Sequence, residues 1–245
     1  MSYFHNIRGA NNGTHIPAYI PEAEQARFRN RKGGISQNVL AGCSLDMYFF
    51  YVCAGWEESA NVCHVLQNAK RHGFPYMEGR LYLADAGYGV REGILTPYRT
   101  VRYHLREQAL ARLRPKTKEE LFNLRHVQLR NVVQKIFGVL NQRFHILHTA
   151  PRFDFRVQAQ LVPALCALHN FVRSRVNGEE DLFYQEADSI LEESFQLGKA
   201  SPYGDERDQL QGTNFSDGKQ QANLRDWMAE RMWTDYMVYL SREHR

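Results

Sequence analysis

Arg80-Leu-Tyr-Leu-Ala-Asp85-Ala-Gly-Tyr88 reads as a compact strand that ends in an acidic residue and a turn. Upstream, Leu45 to Trp56 gathers Tyr48, Phe49, Phe50, Tyr51 and Val52, the aromatic and β-branched residues expected of a strand buried on both faces. Ile35-Ser-Gln-Asn-Val-Leu40 has strand character, and Gly42-Cys-Ser44 between the two reads as a hairpin connection. Gly9-Ala-Asn-Asn-Gly13 reads as a turn after a short strand. From Ser59 a short helix is expected, with Val62, Val65, Leu66 and Ala69 at helical spacing.

Downstream of Tyr88 the chain looks irregular as far as about Pro115, punctuated by Gly93 and Pro97. Thr117 to His145 is a long helical pattern whose stripe is Leu121, Leu129, Val132, Val133, Ile136, Val139 and Leu140. Thr117 and Glu120 resemble a capping box at its start. Phe155 to Arg175 predicts a second helix with Leu161, Leu165, Leu168 and Phe171 as its apolar face. Gly204 to Lys219 has the composition of a flexible linker. Asn223 to Leu240 spaces Leu224, Trp227, Met228, Met232, Trp233, Met237 and Leu240 as an amphipathic helix, to pack on the domain or on a partner. Strands, then a βα alternation, then long helices describe a mixed α/β layer protein.

The chain has 245 residues, 43% of them hydrophobic, enough for one sizeable domain with an appendage. No apolar run approaches the roughly 20 residues that span a bilayer, and Met1 to Arg8 lacks the apolar core of a secretory signal, so an intracellular protein without membrane contact is expected. Cys43, Cys53, Cys63 and Cys166 form no CxxC pair and read as small buried hydrophobes rather than a zinc site. Net charge is +4, unevenly spread. Arg99 to Arg143 holds eleven Lys or Arg against three acids, whereas Gly178 to Asp208 holds ten acids against two bases. The basic centre suits phosphate binding or a solvated helix face equally.

Several blocks together resemble one family. Gly9-Ala-Asn-Asn-Gly-Thr-His-Ile16 is similar to the Gly-Ala-Ile-Asp-Gly-Thr-His-Ile segment that opens the nuclease domain of Harbinger-type DDE transposases. Asn30 to Asn38 resembles that family's next strand, and Gly55-Trp-Glu-Glu-Ser-Ala-Asn-Val62 its Gly-Trp-Glu-Gly-Ser-Ala-His-Asp. Leu83-Ala-Asp-Ala-Gly-Tyr88, Leu95-Thr-Pro-Tyr98, Glu120 to His126, Arg130 to Leu140 and Leu168-His-Asn-Phe171 follow in the family's order. The resemblance implies an RNase H-like mixed five-stranded sheet flanked by helices over residues 5–172. An acidic polar linker at 173–222 and a C-terminal helical extension at 223–245 would complete the chain. Family members usually carry a helix-turn-helix ahead of this domain; the sequence begins almost at the first motif, and a truncated copy is expected.

Nucleases of this kind hold two divalent ions, Mg²⁺ or Mn²⁺, about 3.5–4 Å apart on converging carboxylates. The resemblance assigns that role to positions 12, 85 and 134, with 62 as a further acidic position. Here they are Asn12, Asp85, Gln134 and Val62, so only Asp85 keeps a carboxylate. The expectation is a degenerate nuclease domain that does not cleave DNA but keeps residual DNA or protein binding. Asp85 reads either as a turn cap or as a lone metal ligand. An active enzyme would need Asp85 with Glu57, Glu58 or His64 as replacement ligands. Arg125 and Arg130 are the candidate phosphate contacts, His15 and His126 the candidate structural histidines, and Trp227 to Leu240 the candidate protein-binding helix. Nuclear location is implied by the resemblance alone.

Overall fold

The computed structural model describes residues 2–30, 33–60, 62–99, 101, 114–176, 182–186, 189 and 218–243, and leaves aside the side chains of Ser2, Val62, Cys63 and Glu243. Five strands, β1 (Ile7–Pro17), β2 (Ser36–Ser44), β3 (Phe49–Trp56), β4 (Leu81–Leu83) and β5 (Ile94–Leu95), form one sheet in the order β3-β2-β1-β4-β5. β1 to β3 are antiparallel neighbours; β4 runs parallel to β1, and β5 parallel to β4. The helices are α1 (Gln25–Phe28), α2 (Val62–Arg71), α3 (Lys118–Arg143), α4 (Phe155–Arg175) and α5 (Lys219–Glu243). This is the mixed five-stranded, helix-flanked sheet of the RNase H-like fold.

The glycine-rich start does not turn. Gly9 to Gly13 lie inside β1, the central strand, whose register with β2 runs without a break from Gly9↔Ser44 to Pro17↔Ser36. The glycines give room rather than reversal: a Cβ on Gly9 would sit 2.0 Å from the Cys43 carbonyl oxygen. Gly42 and Cys43 likewise belong to β2, and the hairpin falls at Leu45 to Tyr48, with Met47 at φ 61°. β3 is an edge strand and only half-buried, so the expectation of burial on both faces fails. α2 begins at Val62 rather than Ser59, and the stretch read as irregular contains β5.

Strand alternation sends Ala10 and Ile16, Val39, Ala41 and Cys43, and Leu83 and Leu95 to one face, where Phe122, Val133, Ile136, Phe137 and Leu140 of α3 pack. Val162 and Cys166 of α4 and Met228, Ala229 and Met232 of α5 join the same core. The opposite face packs Leu40, Tyr82 and Ala84 against Val65, Leu66 and Ala69 of α2. Burial pushes the Cys43 and Cys166 thiols far up, in keeping with inert packing groups.

α3 starts where expected: the Thr117 hydroxyl accepts the Glu120 N–H at 3.2 Å, although Glu120 reaches back to the Lys116 N–H rather than that of Thr117. α4 has the expected bounds but only part of the expected face: Leu165 packs against the core and Leu161 is half-buried. Gln158, Val162, Cys166 and His169 point inward, whereas Leu168 and Phe171 are 45% and 58% exposed. Polar groups on the inner face serve the backbone. Asn170 donates to the Phe49 carbonyl and accepts its N–H at 2.8 and 2.9 Å, closing part of the β3 edge. Gln158 clamps both main-chain groups of Tyr19.

α5 packs on the domain, along α3 and β5. The Tyr98 hydroxyl donates to Asp226 at 2.7 Å, the Arg225 guanidinium lies 4.0 Å from the Tyr98 ring centroid, and Lys118 pairs with Glu230. The expected linker from Gly204 to Lys219 lies almost wholly outside the described residues, as do Arg102, Arg106 and Arg112 of the basic centre.

Candidate functional site

The register fixes where the family's acidic positions go. Ala10 of β1 pairs with Leu83 of β4 in parallel, so two residues further on Asn12, in the middle of β1, and Asp85, just past the carboxyl end of β4, come to neighbouring positions. Ala10 and Leu83 face α3, and alternation gives Asn12 and Asp85 the same face. On α3, Gln134 follows Val133 and precedes Phe137, both packed on that face. All three are buried, at 4%, 3% and 3% exposure. The fold thus gathers positions 12, 85 and 134 from the first strand, the fourth strand and the long helix. Val62 begins α2 and its side chain lies outside the described atoms.

Asn12 and Asp85 each serve a neighbouring main-chain group. The Asn12 amide oxygen accepts the Gly13 N–H at 3.0 Å. Asp85 is the N-cap of the turn Ala86–Tyr88, its carboxylate accepting the Gly87 N–H at 2.7 Å. Arg99 holds the same turn from outside through the Ala86 carbonyl, 2.9 Å away. The turn-cap role read from the sequence is therefore filled.

The replacement ligands point elsewhere. Glu58 pairs with His15 at 2.7 Å and Glu57 with Arg27 at 2.7 Å. His15 lies on the odd-numbered side of β1, the face opposite Asn12, so the sheet itself separates Glu58 from Asp85. His64 stacks edge-on to Trp56. Among the described residues no three His, Cys, Asp or Glu side chains gather where an ion could be held.

A buried polar row on α3 was not legible as such in the sequence. Asn123, His126, Arg130 and Gln134, spaced by three, four and four residues, are all 3% exposed or less. Asn123 clamps Tyr98, accepting its N–H at 2.8 Å and donating to its carbonyl at 3.0 Å. His126 meets the Leu95 carbonyl oxygen at 2.9 Å. Burial is the main force on this imidazole; the Arg130 and Arg225 charges add to it and the Leu95 carbonyl opposes it, leaving a pKa of about 3. His126 is thus a neutral structural histidine, while His15 is exposed with its Nδ1 2.7 Å from the Glu58 carboxylate. Arg130 is 1% exposed, inside the molecule where a DNA backbone does not reach. Of the two candidate phosphate contacts only Arg125 faces solvent, its guanidinium 3.2 Å from Gln128.

The class follows from a five-stranded sheet of this order flanked by helices, together with a family pattern that matches most of it. The chain belongs to the DDE superfamily endonucleases, whose family pattern matches residues 12–170. Among curated proteins it is similar to "Putative nuclease HARBI1" of Homo sapiens, 26% identical over 173 residues, covering 67% of this chain and 45% of that protein. The Bos taurus protein of the same name is 27% identical over 164 residues, 64% of this chain and 43% of the relative. The chain therefore spans less than half the length of the curated relatives it matches. No solved structure matches it.

Proposed function

We propose that this chain is a degenerate Harbinger-type DDE nuclease domain that does not cleave DNA and keeps a weak, salt-sensitive hold on it in the nucleus. The observation that carries the reading is the composition of the gathered site: one carboxylate, Asp85, beside the carboxamides Asn12 and Gln134. Two divalent ions need several negative oxygen ligands to offset their dehydration. A carboxamide keeps the shape and one carbonyl oxygen but not the charge. Asp85 is in addition committed to the Gly87 N–H. The residues present do not fit the family's metal pair.

The test is titration calorimetry with Mn²⁺ alongside a plasmid-nicking assay. Three chains are compared: the native chain, Asp85→Ala, and the double substitution Asn12→Asp with Gln134→Glu. No ion-dependent heat and no nicking by the native chain, with binding regained by the double substitution, is expected. Nicking by the native chain that disappears in Asp85→Ala would overturn the reading and mean an active enzyme with another ligand set.

A second reading, protein binding through α5, has one observation in its favour. Trp227, Met237 and Tyr239 remain 55%, 49% and 55% exposed after Met228 and Met232 have been used by the domain. Loss of association on Trp227→Ala with Tyr239→Ala, at unchanged stability, would select it.

A further inference from the structure

Beyond α4 the chain comes back. In the helical stretch 182–186, Leu182 is 73% exposed but Tyr184 only 4%. The Tyr184 ring packs on Met47 and Val139, and its hydroxyl lies 3.1 Å from Nε2 of the fully buried His169. Arg173 of α4 stands 4.7 Å from the centroid of that ring and Lys135 of α3 stands 5.7 Å from it. Next to it, the Phe183 ring lies 5.3 Å from the Arg143 guanidinium. Two aromatic rings from one five-residue stretch thus cover three cations contributed by two helices. The charges around them are complementary. Asn131 to Val176 contains six Lys or Arg and one acid, Asp154, whereas Gly178 to Leu197 contains seven acids and no Lys or Arg.

We propose that Leu182–Glu186 is a built-in latch over a second nucleic-acid-binding surface, formed by Lys135, Arg143 and Arg173, and that a DNA phosphate backbone competes with it. This rests on the residual DNA binding proposed above, and supplies its place and its regulation. The surface is not the one that gathers Asp85. α4 packs on β3, at one edge of the sheet, while Asp85 follows β4 on the far side of β1. Guanidinium and ammonium groups suit phosphate oxygens better than ring faces, and each that meets DNA also releases a counterion. Cation–π contacts of this kind are individually weak enough to exchange. Aromatic rings that cover the same cations in cis lower the fraction of molecules able to bind. A latch closed nine-tenths of the time weakens the apparent affinity about tenfold.

The experiment is anisotropy of a labelled 20-base-pair DNA duplex, titrated at several salt concentrations, with limited proteolysis of the 178–197 segment on the same samples. The chains are the native protein, Tyr184→Ala, and a charge variant with Glu179, Glu180 and Glu186 changed to Gln and Asp181 to Asn. The charge variant touches no described core contact and keeps the test valid if Tyr184→Ala folds poorly. Both variants are expected to bind DNA roughly tenfold more tightly and to be cut faster in the segment. Adding Lys135→Ala and Arg143→Ala to either should cancel the gain. DNA binding unchanged while the segment is cut faster would overturn the competition. Failure of every chain to bind DNA, with the segment demonstrably released, would overturn the proposed DNA binding itself.

Discussion

At the scale of single residues the site is defined by what three side chains lack and by what their neighbours enforce. Asn12, Asp85 and Gln134 occupy equivalent depth, yet only one has a carboxyl group. Their placement depends on the close approach of β1 to β2, which Gly9 permits. Because the atom that a Cβ would strike there is backbone, the Cys43 carbonyl oxygen, relief requires the strands to part. Gly9→Ala should therefore cost at least about 1–3 kcal/mol, read as a lower midpoint in urea unfolding. A midpoint equal to the native one would mean that β1 and β2 are less closely apposed than described. His126 makes a pH prediction. Its folded pKa of about 3 lies below the ordinary histidine value of 6.5, so between these values the unfolded chain binds a proton that the folded one excludes. This contribution is fully favourable above pH 6.5 and erodes on acidification, by up to about 1.4 kcal/mol per pH unit. His126→Gln should flatten the slope of stability against pH over that window. An unaltered slope would show that the imidazole is not buried neutral.

At the scale of elements, α4 shows how a helix can be placed correctly while only part of its buried face is legible: Leu165 packs inward as expected, Leu168 and Phe171 do not. Its bounds follow from its apolar content and from Asp154, which caps it by accepting the Arg156 N–H at 2.9 Å. The rest of its inward face escapes a hydropathy pattern because it is polar: Gln158, His169 and the half-buried Asn170 satisfy main-chain groups of Tyr19 and β3 and the Tyr184 hydroxyl. Hydropathy ranks such residues as outward. The two readings give opposite mutational results. Asn170→Ala leaves both Phe49 main-chain groups without their side-chain partner and should cost about 2–3 kcal/mol. Leu168→Gln should stay within about 0.5 kcal/mol of the native chain, since it removes an exposed side chain. Thermal unfolding of the two variants side by side decides, and the reverse ranking would restore the face expected from the sequence.

At the scale of the whole molecule the C-terminal helix is part of the fold. A separable helix would leave the domain intact on removal, but Met228 and Met232 sit in the same core as Phe122 and Phe137. Removing residues 219–245 should lose about 3–6 kcal/mol from the two methionines alone and expose apolar surface on α3. Near-ultraviolet circular dichroism and binding of a hydrophobic dye would report it. A truncated chain with native spectra and no dye binding would refute this account. The same packing narrows the surface available to a partner to the outer side of α5, around Trp227 and Tyr239.

The residue blocks from Gly9 to Phe171 determined the family and the sheet-and-helix class. These are matters of local pattern, order and residue type, which a linear chain carries directly. Only the tertiary structure decided that Gly9 to Gly13 form the central strand, because pairing with β2 and β4 outweighs the local preference for a turn. It also decided that Arg130 is interior while Arg125 is not, a matter of helix phase against a sheet the sequence does not display. The same is true of Glu58, which seemed close to the site along the chain but lies across the sheet from Asp85 with His15. Tyr184, beyond the expected end of the domain, finds His169 and Arg173 fifteen and eleven residues back, a contact of side-chain shape and charge in three dimensions.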